Sequence, residues 1–139
     1  MRLLILLLSF GIYCSCSSSR EIKLRTKMLN GTWIPLKQEI GGTALPAMAF
    51  EGQRLLLEDL NYTVTAESID KGIVQYDGDK MDIYSKEGVN AGKHFTAIYK
   101  LDHDELTICY NLLGDSYPTV FDTKGKPLFF LSVFKKLKA

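Results

Sequence analysis

The sequence predicts an all-β domain, an antiparallel up-and-down barrel of about eight strands that follows an N-terminal signal segment. Three observations lead there. From Gly31 onward, short runs rich in Val, Ile, Thr, Tyr and Phe are separated by Gly, Asp, Asn and Lys. Within several runs the residues alternate between two faces, the period of a strand with one face in a core. No long amphipathic helix lies between the runs, which argues against a parallel sheet, whose strands need helical crossovers. Many short strands at regular spacing leave a closed barrel or a sandwich.

The chain opens MRLLILLLSFGIYCSC. Arg2 supplies a positive start, and residues 3–12 form a continuous apolar stretch. That stretch is shorter than the roughly 20 residues a bilayer span needs, and it suits the apolar core of a secretory signal. Cys16 follows the small Ser15 and precedes Ser17, Ser18 and Ser19, which read as a flexible polar tether. Cys14 follows the bulky Tyr13 and is expected to leave with the signal. The region resembles a bacterial lipoprotein signal, and the resemblance implies that Cys16 becomes the first residue and carries the lipid. Tyr13 and Cys14 depart from the Leu and small residue usual before such a cysteine. Plain secretion with an exposed thiol is the alternative.

The domain organisation that follows is a signal peptide over residues 1–15, a lipidated tether and lead-in over 16–28, and a barrel over 29–139. The expected location is the bacterial cell envelope, anchored by lipid and most naturally at the outer membrane; a periplasmic or secreted protein is the alternative. The 139 residues suffice for one domain and not for two ordinary ones. Hydrophobic residues at 46% and charged residues at 24% place the chain among packed domains. The formal charge is +1, and it falls to zero once Arg2 is removed with the signal. A neutral chain has no general attraction for nucleic acid, so no nucleic-acid partner is expected.

The lead-in REIKLRTKMLNG mixes charges with Ile22, Leu24, Met28 and Leu29, and reads as a short helix or helical turn. Strands are expected near residues 32–39, 53–58, 61–67, 72–76, 80–85, 94–101, 105–112, 119–122 and 128–135. The connection 41–52 holds Pro46 and several alanines and is compatible with a helical turn. In HFTAIYKL, Phe95, Ala97, Tyr99 and Leu101 share one face. In ELTICYNLL, Leu106, Ile108, Tyr110 and Leu112 do, opposite Thr107, Cys109 and Asn111. Tyr62, Val64 and Ala66 likewise oppose Thr63, Thr65 and Glu67. Asp77-Gly78-Asp79 and Asp102-His103-Asp104 suit tight antiparallel hairpins.

Two stretches carry a resemblance to a family. Leu29-Asn30-Gly31-Thr32-Trp33, with the only tryptophan, resembles the Gly-x-Trp signature that opens the first strand of lipocalins and related calycin barrels. The resemblance implies that Trp33 closes one end of the barrel and that a basic side chain of the last strand, here Lys135 or Lys136, lies across its indole. Arg is usual there. The second stretch runs from Gly92 through LFFLSVFKK and resembles a largely uncharacterised family of small bacterial lipocalin-like domains. The matching residues are Gly92-Lys93, Ile98-Tyr99-Lys100-Leu101, Leu106 with Cys109-Tyr110, and Pro118 with Phe121. Tyr117 stands where that family often has Arg. The resemblance implies a lipocalin-like barrel and brings no catalytic residues.

Residues with chemistry give little. There is no Gly-x-Ser-x-Gly elbow, phosphate-binding loop or dinucleotide fingerprint. Cys109 lies in a strand-like run and reads as a small buried hydrophobe; a nucleophile would need an activating base. His94 and His103 are not spaced as metal ligands on one element. Asp102, Asp104 and Glu105 read as a solvated turn. Asp77-Gly78-Asp79 with Asp82 lacks the pattern of a calcium loop. No enzyme, metal or cofactor is therefore expected. Inward aromatics either fill a small barrel or line a cavity, and the sequence leaves both open. The expected function is capture of a small apolar ligand, with Tyr99, Tyr110 and Phe130 as candidate contacts. The alternative is a packed barrel that grips another envelope protein, as an inhibitor or assembly factor.

Overall fold

The computed structural model describes residues 17–138, and Cys14 and Cys16 lie outside them. A helix, α1 (Ser17–Leu29), precedes strands β1 (Gly31–Ile40), β2 (Thr43–Ala44), β3 (Arg54–Glu58), β4 (Asn61–Thr65) and β5 (Ile69–Asp77). Then come β6 (Lys80–Glu87), β7 (His94–Asp102), β8 (Glu105–Asn111) and β9 (Phe129–Lys136). Each long strand pairs antiparallel with the next, and β9 returns to β1 from Trp33↔Lys136 to Ile40↔Phe130. The result is a closed eight-stranded, lipocalin-like barrel, with β2 a two-residue extension beside β1. Closure gives every long strand a partner on both sides, though β1 meets β3 only over Gly31–Trp33.

The barrel has two unlike ends. At one, two-residue turns join β3 to β4, β5 to β6 and β7 to β8. Asp59, Gly78 and His103 take the left-handed conformation in these turns, with φ of 53°, 60° and 54°. Helix α1 lies across this end. The Arg25 guanidinium donates to the Gly78 carbonyl, Tyr99 OH donates to the same oxygen at 3.0 Å, and Leu29 is buried among the core residues. Glu21 pairs with Arg25 one turn along the helix at 2.9 Å. The helix takes in Ser17–Ser19, read from the sequence as a flexible tether.

Trp33 seals the closed end. It is 0% exposed, its indole N–H donates to the Leu29 carbonyl at 2.8 Å, and Lys136 Nζ lies 5.4 Å from the ring centre. Gly31 has φ of +138°, and a Cβ there would come within 2.8 Å of Lys136 Cε. Glycine thus admits the lysine stem that lies over the tryptophan.

The inward faces of the strands form the main core: Leu55, Leu57, Tyr62, Val74, Met81, Ala97, Leu106 and Ile108, among others. A second, smaller cluster lies on the outside of the barrel, where Ile98, Cys109 and Leu131 pack with Phe121, Phe129 and Val133. The β8–β9 connection covers it. The strand expected at residues 119–122 is absent; the segment runs as bends across the outer surface. The reason is topological. β8 and β9 are already paired on both sides, so no free edge remains for a further strand. Side chains fix the segment instead. Asn111 Nδ2 donates to the Ser116 carbonyl at 2.9 Å, Thr96 Oγ1 donates to the same carbonyl, and buried Thr123 donates to Glu39.

Candidate ligand cavity

The interior is hollow rather than filled. A cavity of about 610 Å³ extends from the floor residues Leu57, Val74, Met81 and Ile108 to the open end. Its mouth is formed where β4 meets β5, where β6 meets β7, and at the start and finish of the β8–β9 connection. Val89 and Leu128 belong to both the cavity wall and the surface, at 74% and 44% exposed. Large apolar side chains in such positions mark a mouth whose rim is not closed by polar residues.

The sequence candidates divide. Tyr110 and Phe130 line the cavity, with ring centres 5.7 Å apart across the β8–β9 pair. They also border a side pocket of about 230 Å³ toward Gln38, Gln53 and Arg54. Burial pushes the Tyr110 phenol up, so it stays neutral and offers a hydrogen bond rather than a charge. Tyr99 does not line the cavity. It faces inward, yet it lies beside the β7–β8 hairpin at the closed end, edge-on to Tyr76 at 5.8 Å, with its hydroxyl held by Gly78. Gly31 and Trp33 lie at that same closed end, away from the mouth.

A polar cluster that the sequence reading missed stands on one wall. Asp70 Oδ1 accepts from Ser85 Oγ at 2.6 Å and Asp70 Oδ2 accepts from Tyr62 OH at 3.2 Å. Ser85 and Tyr62 are buried, and Asp70 is half-buried against the cavity. Burial, with the neighbouring carboxylate adding to it, raises the Tyr62 phenol to about 12. Gly72 makes the cluster possible. A Cβ there would lie 2.0 Å from the Tyr84 carbonyl oxygen and 2.8 Å from Tyr62 Cε1. The ladder shifts register between Lys71 and Gly72 at the same point.

The other reactive groups point elsewhere. Cys109 sits in the outer cluster with its thiol 4.0 Å from the Asp122 carbonyl, and burial pushes that thiol up. His94 Nε2 meets Asp82 Oδ1 at 2.7 Å and stacks on Tyr84 at 4.5 Å. Tyr117, where the resemblance leads one to expect arginine, donates to the other oxygen of Asp82, with Lys80 5.1 Å above its ring. That contact pins the β8–β9 connection to the outside of β6. His103 is exposed beside Asp102. Among the described residues, no three His, Cys, Asp or Glu side chains are grouped to hold a metal. Comparison of the chain with protein-family models and with curated proteins found no match.

Proposed function

We propose that the protein is a binding protein that captures a small apolar ligand in its barrel, and that it does so by binding rather than by chemistry. The observation that carries this is the cavity itself: about 610 Å³, apolar over its floor and most of its wall, and open at one end. Ligand sites commonly enclose about 300–1,000 Å³ with mostly apolar walls and a few placed polar groups. Tyr110 and Phe130 supply aromatic wall, and Tyr62 with Asp70 supply polar contacts. The thiol and the histidine–aspartate pair lie outside this space. A packed barrel acting only through its surface accords poorly with an open interior. On this reading the barrel is exported, held in the bacterial envelope by a lipid on Cys16, and related to the small lipocalin-like domains that its Gly31–Trp33 start and its last strands resemble.

The test is a thermal-shift screen of the delipidated mature protein against fatty alcohols and acids, sterol-like compounds and quinones. A ligand that binds only the folded state raises the melting temperature saturably with concentration. No shift with any class, together with no bound molecule in protein taken from its native membrane, would refute capture and leave a protein partner as the function.

A further inference from the structure

Asp70 is a carboxylate in the wall of an apolar cavity, with no cationic side chain in ion-pair contact among the described residues. Its support comes from two hydroxyls. Ser85, 2% exposed, serves one oxygen, and Tyr62, 5% exposed, serves the other. Each oxygen of an ionised carboxylate can accept more than one hydrogen bond. Both therefore keep capacity toward the cavity. The residue lies just inside the mouth, because its Cα partner is Val64 near the open end of β4, while Tyr62 is nearer the β3–β4 turn. Below it the floor is apolar.

Resting on the reading of the cavity as a ligand site, we propose that Asp70 selects the head group. The ligand is an elongated apolar molecule bearing an amine, which enters tail first and places its ammonium on Asp70. An ammonium leaving water for an apolar cavity needs a charge-assisted partner, and Asp70 provides one. A carboxylate head at the same depth would instead meet a like charge. Lys93, which also borders the mouth, does not reverse this. It is exposed, and its Nζ faces Asn90 Oδ1 at 3.4 Å, so water screens what it offers an anion. The neutral phenols of Tyr62 and Tyr110 favour neither sign.

The test compares three probes with one tail, dodecylamine, dodecanol and dodecanoate, each below its micelle concentration, by calorimetry on the mature protein at neutral pH. The expected order of affinity is amine, then alcohol, then carboxylate. Asp70→Asn keeps an acceptor for Ser85 and removes the charge. It should weaken the amine about tenfold or more, the loss expected for one hydrogen bond to a charged group. The alcohol should lose much less than the amine, and a circular dichroism spectrum and unfolding curve like those of wild type show that the variant is folded. A carboxylate that binds as tightly as the amine, or an unchanged preference in Asp70→Asn, overturns the head-group assignment while leaving capture intact. Failure of all three probes also overturns the head-group assignment, and capture of other apolar molecules is then decided by the wider thermal-shift screen. The wild-type ranking decides the matter even if the variant does not fold.

Discussion

Replacing Trp33 with alanine tests whether the closed end holds the barrel together. A buried tryptophan removes about 150–250 Å² from water, and at about 25 cal/mol per Å² that corresponds to roughly 4–6 kcal/mol. Alanine keeps a small part of this, and the closed end collapses a little into the space, so the net loss is about 3–5 kcal/mol. The Lys136 contact at 5.4 Å is half-exposed and contributes about 0.5–1 kcal/mol of that. Domains of this kind are stable by about 5–15 kcal/mol, so the change removes a large share. Trp33 is the only tryptophan, so its fluorescence vanishes in the variant. Urea unfolding should therefore be followed by circular dichroism. Lys136→Met separates the two effects and should cost no more than about 1 kcal/mol. A Trp33→Ala protein within about 1 kcal/mol of wild type, or a Lys136→Met loss equal to it, would refute the reasoning.

Leu128→Trp should narrow the mouth and abolish stabilisation by apolar ligands, while the stability of the unliganded protein changes by less than about 0.5 kcal/mol because the site is exposed; ligand titrations and unfolding curves of both proteins check it. Stability should fall at alkaline pH. Tyr62 and Tyr117 are raised from 10 to about 12, and Tyr76 and Tyr110 are raised by burial, so the unfolded chain ionises first. Full stability below pH about 10 is then lost as the pH rises through the folded values, and phenolate absorbance with unfolding curves measures both. Cys16→Ala should abolish metabolic labelling by a fatty-acid probe and Cys14→Ala should not; labelling that survives the first change moves the acceptor elsewhere.

Much of the barrel was legible because strand alternation is local. That Phe95, Ala97 and Tyr99 share a face, as do Leu106, Ile108 and Tyr110, follows from a period of two, and the hairpins follow from Asp-Gly and Asp-His turns; the structure shows that these faces point inward. What alternation does not give is depth. Tyr99 and Tyr110 share an inward orientation, yet Tyr99 is close to a two-residue turn and Tyr110 is toward the long connection. The contrast between short and long connections was itself in the sequence, and it marks which end stays open. Asp70 was missed for a related reason. The strand was expected to begin at Gly72, and the observed start at Ile69 puts Asp70 on the face of Val74. The segment around Val120 has β-like composition and no partner, because strand formation depends on a free edge that the sequence does not display.

Helix α1 and the end of β9 both leave the barrel at the closed end, with the Leu137 N–H bonded to the Thr32 carbonyl. The barrel thus has a handle and a mouth at opposite poles. On the lipid attachment proposed at Cys16, the anchor would join the protein on the side of α1, and the mouth would open on the far side. A ligand arriving from that membrane would have to cross water or be handed over, whereas one arriving from the aqueous compartment would meet the mouth directly. The same polarity makes the closed end, with α1 and the end of β9, the natural place for immobilising the protein on a surface, since a tether there leaves Val89 and Leu128 clear.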